Sequence, residues 1–289
     1  MRIWGLLVLP LVLAVMLGGI PARAPSSQTD TVPVYYRDAA IVLMYHHLDE
    51  KESSATIMPE RFAAHLDMLR EKGYQVVELE RITAFLAGNA DLPPNAVAIT
   101  FDDGYASFYN HAFPALAARR MPASVFVITS QVGSENGIPK LTWEQMRQME
   151  AAGFAFYSHT HDSHRYIAVN RQGDRKPALV GQEYLEGQGR QETRIEYGQR
   201  VENDLRLSRN ILEQELGQPV SLLAYPYGWG SDEVASLARF AGFDYLFTIK
   251  PALITRTSSP QALGRLNAGT PDLDAAGLDQ AMQELIRNR

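Results

Sequence analysis

Apolar and polar positions along the chain alternate between two periods, one suited to strands and one to helices. Ile41-Val42-Leu43-Met44-Tyr45 is a continuous apolar run of the length of a buried strand. Pro59 opens a helix whose Phe62, Leu66 and Leu69 share one face, and Gly73 closes it. Val76-Val77 reads as strand, and a short helix carrying Ile82, Phe85 and Leu86 follows. Val97 to Phe101 is the next strand, Phe113 to Arg120 a helix, and Ser124 to Ile128 a strand. Thr142 caps a predicted helix through Ala152 that Gly153 ends, and Phe154 to Tyr157 is strand again. A long helix from about Thr193 to Leu216 aligns Val201, Leu205, Ser208 and Leu212. Val220 to Tyr225 reads as strand, Asp232 to Ala241 as helix, Phe243 to Thr248 as strand and Asp274 to Arg287 as the last helix.

Repeated βα units predict an α/β fold on a parallel sheet, open or closed. The residues best equipped for chemistry all follow strands: Asp102-Asp103, the run His159 to His164, and Tyr225-Pro226-Tyr227. Sites at the C-terminal ends of strands are the rule in α/β barrels, which favours closure. Residues 165–195 break the rhythm. They are polar, glycine-bearing and mixed in charge, and read as an insertion over the active face.

The N-terminus carries an export pattern. Met1-Arg2 is followed by an uncharged stretch from Ile3 to Ala22, with Leu6, Leu7, Leu9, Leu11, Val12 and Leu13 as its apolar centre. Ala22-Arg23-Ala24 has the form of a cleavage site, yet the uncharged stretch is also long enough to span a bilayer if retained. Residues 1–24 are therefore a signal peptide or an N-terminal membrane anchor, and the body is exported, periplasmic or otherwise extracytoplasmic. Residues 25–38, with Pro25, Ser26, Ser27 and Pro33, form a linker, and 39–289 a single catalytic domain.

Composition narrows the chemistry. A net charge of −6 and a pI near 5.7 argue against a nucleic-acid partner. The absence of cysteine removes thiolate metal sites, cysteine nucleophiles and disulfides, so any metal must use histidine and carboxylate. Asp102 and Asp103 are adjacent at a strand end and point differently, so one can bind an ion while the other acts as a base. Gly104 permits a tight turn beside them. His159, His161 and His164 crowd one loop, and two of them with one aspartate make three protein ligands with a position left for water. His161 could stand in for either neighbour. His46, after the first strand, is a natural proton donor to a leaving amine. In Tyr225-Pro226-Tyr227-Gly228-Trp229, proline stiffens a turn that could aim the Tyr227 N–H at an oxyanion, and Tyr227 and Trp229 could stack on a sugar ring.

Together these segments resemble the polysaccharide deacetylases of carbohydrate esterase family four, the NodB-homology fold. The motifs are Thr100-Phe101-Asp102-Asp103-Gly104, Ser158-His159 through His164, and Tyr225-Pro226-Tyr227-Gly228, and the resemblance covers most of 39–270. It implies a distorted (β/α)7-type barrel, one strand short of eight. It also implies a divalent metal on Asp103, His159 and His164, Asp102 as base, and the Tyr227 N–H as oxyanion donor. Tyr45-His46 and the five-residue His159–His164 spacing resemble those of N-deacetylases of poly-β-1,6-N-acetylglucosamine, in which that first histidine is the general acid. Many relatives carry an arginine where this chain has Ala224, and Arg265 is the candidate to orient Asp102 in its place, or to contact substrate with Tyr227 and Trp229.

The expected activity is metal-assisted amide hydrolysis that releases acetate from an N-acetylglucosamine polymer. Zinc is the first choice of ion, and cobalt, nickel or ferrous iron are chemically acceptable. Expected partners are the polysaccharide, a membrane through the N-terminus and an exopolysaccharide export machinery. The alternatives are another deacylase on the same fold, acting on peptidoglycan or xylan, and a non-catalytic polysaccharide-binding or export protein.

Overall fold

Apolar runs that would be unstable in water become the staves of a barrel, because a parallel sheet is covered on both faces. The computed structural model describes Met1 and residues 33–288. Apart from Met1, the expected export segment lies outside the described residues, as does the first part of the linker.

All seven residues of β1 (Ala39–Tyr45) are buried. It pairs in parallel with β3 (Ala96–Phe101) over six residues, from Ala40↔Ala96 to Tyr45↔Phe101. A short β2 (Gln75–Val76) lies along the start of β3. The parallel order continues through β4 (Ser124–Val127), β5 (Ala155–Ser158), β6 (Leu222–Ala224) and β7 (Tyr245–Phe247). β8 (Ile254–Thr255) runs antiparallel to the start of β1, and β9 (Leu266–Asn267) runs parallel to its end. A parallel bridge between Phe247 and Leu263 joins β7 to the segment leading into β9. The ring is therefore β1-β3-β4-β5-β6-β7-(263–267)-β1, a barrel of seven staves. It is distorted because β5 meets β6 at a single pair, Leu223↔Ser158.

Among the described residues seven α-helices pack outside: α1 (Pro59–Glu71), α2 (Leu79–Leu86), α3 (Phe113–Arg119), α4 (Trp143–Glu150), α5 (Arg194–Leu216), α6 (Asp232–Phe240) and α7 (Ala275–Arg287). Their ends follow local chemistry. Thr142 with Gln145, and Thr193 with Glu196, form reciprocal capping boxes at the starts of α4 and α5. α5 buries Tyr197, Val201, Leu205, Ser208 and Leu212 along one stripe.

The insertion after β5 is folded. Tyr166–Ala168 pairs with Arg175–Pro177, and Tyr184–Leu185 with Arg190–Gln191, as two small antiparallel hairpins. α5 supports them. Arg200 donates to the Ala178 and Gly181 carbonyls and pairs with the buried Glu192, and the Tyr197 hydroxyl donates to the Leu179 carbonyl. Strands of two or three residues held by side chains from the helix that follows them have no periodic signature in sequence. Among the described residues no helix is long and apolar enough to cross a membrane.

Candidate active site

The C-terminal ends of the staves converge on one face and carry the chemical residues there. β3 leads into Asp102, whose N–H donates to the Tyr45 carbonyl at 2.9 Å. Asp103 follows in a left-handed conformation, φ 72°, which turns its side chain away from the ladder direction. β5 ends in Ser158, and His159 continues the ladder by donating to the Val127 carbonyl.

Asp103, His159 and His164 meet, their ligand atoms all within 4.8 Å of one another. Asp103 Oδ1 lies 3.5 Å from His159 Nε2 and 3.3 Å from His164 Nε2. That oxygen is buried and has no hydrogen-bond partner. A buried carboxylate oxygen without a donor is costly unless a cation satisfies it. The His159 Nδ1–H donates to the Ala224 carbonyl at 2.9 Å, leaving Nε2 with a free lone pair facing Asp103. These residues fit a divalent cation. His161 turns elsewhere, its Nδ1 3.0 Å from the Thr129 hydroxyl.

Asp102 is held by an arginine from the seventh stave. Arg265 Nη1 and Nη2 each donate to one Asp102 oxygen at 2.7 Å, a two-pronged pair in which both side chains are buried. Arg265 Nε donates to the Thr248 carbonyl, and Nη1 also reaches the Thr100 hydroxyl at 3.3 Å. Burial alone would push the Asp102 carboxyl up. The charge of Arg265 and its hydrogen bonds outweigh burial and hold it well below the usual carboxylate range. Arg265 has no exposed surface to offer the sugar contact expected of it, and both its Nη groups face Asp102.

His46 is half-buried at the end of β1, and its buried Nδ1 has no partner. Tyr45 pairs with Phe101, so His46 and Asp102 follow matched positions of adjacent strands. Tyr227 adopts φ 57° in the turn Pro226–Gly228, and its N–H has no protein acceptor among the described residues. Its ring lies 4.3 Å from His164 and 4.8 Å from Tyr166 of the insertion. Trp229 is 59% exposed beyond it. Tyr227, Trp229, Ile249 and Lys250 line a groove of about 930 Å³ that shares Tyr227 with the site but none of its carboxylates or histidines.

One supporting residue was not singled out from the sequence. Asp204 on α5 accepts from the N–H groups of His161 and Asp162 at 3.0 and 2.8 Å and so pins the histidine loop. One turn later Ser208 meets Ser158 at 2.6 Å. Two polar residues four apart beside a buried apolar stripe were the available signal.

Burial lowers the pKa of His159 to about 4 and that of His65, packed between Tyr45 and Leu273, in the same direction. Unfolded, both take up a proton near 6.5. Between pH 6.5 and 4 the unfolded chain therefore binds more protons, and stability falls as pH falls through this window. Calorimetry of the metal-free protein at stepped pH is expected to show a falling midpoint, and a flat midpoint from 6.5 to 4.5 would contradict it.

A family model described as polysaccharide deacetylase matches residues 89–246, more than half of the chain. That span includes Asp102, Asp103, His159, His164 and Tyr227 but neither His46 nor Arg265. The chain is 28% identical over 253 residues to the poly-β-1,6-N-acetyl-D-glucosamine N-deacetylase of Escherichia coli (strain K12), covering 81% of this chain. It spans only 37% of the length of that relative. Among solved structures it resembles a de-N-acetylase from Aggregatibacter actinomycetemcomitans, with TM-score 0.77 and 27% identity, covering 84% of this chain and 99% of that one. It also resembles IcaB from Ammonifex degensii, with TM-score 0.71 and 32% identity, covering 85% and 97%.

Proposed function

Because the chain belongs to the polysaccharide deacetylase family, we propose that it is a metal-dependent N-deacetylase acting on N-acetylglucosamine units of an exported polysaccharide, with poly-β-1,6-N-acetylglucosamine as the first candidate. The observation that carries this reading is the buried, unpartnered Asp103 Oδ1 between two imidazole Nε2 atoms. Zinc is the ion proposed first, because this donor set suits it and leaves a coordination position open.

A divalent cation held by Asp103, His159 and His164 would polarise the acetyl carbonyl and bring the pKa of water toward neutrality. The surrounding residues then have distinct tasks. Asp102 stays ionised and immobile because Arg265 occupies one direction at each oxygen, and a remaining lone pair accepts the proton of the attacking water. The free Tyr227 N–H donates to the oxygen that becomes negative as the amide carbon turns tetrahedral. His46 delivers a proton to the departing nitrogen, and acetate and a glucosamine unit leave. Trp229 and Tyr227 offer aromatic faces on which sugar rings can stack along the groove. The same reading has the protein act outside the cytoplasm, with residues 1–24 as export signal or anchor.

Acetate release from N-acetylglucosamine oligomers, measured with and without chelator, tests the proposal. Release is expected to stop on chelation and to return with added zinc or cobalt. Oligomer binding without acetate release under every divalent ion would replace it with a polysaccharide-binding role.

A further inference from the structure

Asp103 owes its aim to a backbone turn rather than to its strand. Asp103 and Gly104 are consecutive left-handed residues, φ 72° and 65°. Glycine adopts that conformation freely, whereas aspartate does so only where its surroundings hold it. Both carbonyls leave the ladder, and three consecutive residues of the loop before α4 close on the turn. The Ala106 N–H donates to the Pro139 carbonyl at 2.9 Å, and the Leu141 N–H to the Gly104 carbonyl at 2.9 Å. Between them, Lys140 Nζ donates to the Asp103 carbonyl at 3.1 Å. The loop is closed on itself by Lys140 N–H to Ser134 and Gly133 N–H to Leu141.

We propose that Lys140 is a positioning residue for Asp103, locking the left-handed turn so that the carboxylate faces His159 and His164, and thereby strengthening divalent-ion binding. The inference rests on the metal reading above. The bonds from Pro139 and Leu141 use main-chain atoms and survive any side chain at 140, so only the hold on Asp103 itself depends on the lysine. A cation suits the task twice. Its hydrogen bond to the carbonyl is charge-assisted, and it lies 3.6 Å from the Tyr105 ring centroid, which fixes its place. An opposing effect is the repulsion between this cation and a bound metal, and the sign of the measured change decides between the two.

The test is titration of the metal-free full chain with zinc in competition with a chromophoric chelator, comparing wild type, Lys140→Met, Lys140→Gln and Lys140→Arg. Near-UV circular dichroism establishes that each variant is folded. Lys140→Met is expected to bind zinc about 10-fold more weakly, the lower end of what lost support to a ligand costs. Lys140→Arg, which keeps a charged donor over the ring, is expected to recover most of that loss. If Lys140→Met does not fold, Lys140→Gln carries the same comparison. Wild-type or tighter affinity in the folded neutral variant would overturn the inference, as would an arginine variant as weak as the methionine one. Wild type that binds zinc but releases no acetate would remove the deacetylase reading and leave this one standing, whereas wild type that binds no divalent ion would remove both.

Discussion

Asp102→Asn is expected to lower acetate release by about 10²–10⁴-fold, the usual contribution of a general base. Asparagine fits the same space but has no lone pair basic enough to accept the water proton. Zinc affinity is expected to stay within a few-fold of wild type, because the cation would sit on Asp103, whose unpartnered oxygen faces the two imidazoles. The split between lost turnover and kept metal is the informative result. Chelator competition on the same preparation reads the second half. An Asp102→Asn variant with wild-type turnover would end the assignment of Asp102 as base, and one that loses metal as well would make it a ligand.

Arg265→Met is expected to have the largest effect on stability. Asp102 and Arg265 are both buried and joined by two 2.7 Å hydrogen bonds. Removing one partner of such a pair leaves a buried charge uncompensated, which costs about 3–5 kcal/mol. Denaturant unfolding of the metal-free variant measures it, and a loss below about 1 kcal/mol would show that water reaches Asp102 in place of the arginine. The pH profile moves as well. In wild type the arginine keeps Asp102 charged far below neutrality, whereas in the variant burial remains and the charge that opposed it is gone. The carboxyl pKa then rises, so the acid limb of turnover shifts to higher pH. Arg265→Lys keeps the charge but loses the fork that matches both oxygens, and intermediate behaviour is expected of it.

Both predictions turn on a contact that spans 163 positions of sequence. Arg265 reaches Asp102 because the segment after β8 returns to complete the ring between β7 and β1. Its two-residue strand follows a stretch containing Pro260 and Gly264, and nothing in so short a run distinguishes a stave from a loop. From sequence alone Arg265 is legible only as a substitute for the arginine missing at Ala224, with sugar contact as a second option. Burial in the closed barrel removes that option and also gives Ala224 another task, its carbonyl orienting His159.

What the sequence determined by itself is what depends on neighbours a few positions apart. The buried strands before Asp102 and His159, the caps at Thr142 and Thr193 and the stripe on α5 are local patterns, and the structure has them within one to three residues of where the periodicity put them. The chemical inventory is equally local, since a chain without cysteine has only histidine and carboxylate with which to hold a metal. Only the tertiary structure decided which histidines face Asp103. His161 and His164 are three residues apart on one loop, but Asp204 pins the N–H groups of His161 and Asp162, and the turn sends one imidazole to Thr129 and the other to Asp103. The roles of Lys140 and Asp204 and the folded insertion are of the same kind. Lys140 and Asp204 act on segments 37 and 43 positions away, and the insertion is held by side chains of the helix that follows it, contacts that leave no periodic pattern along the chain.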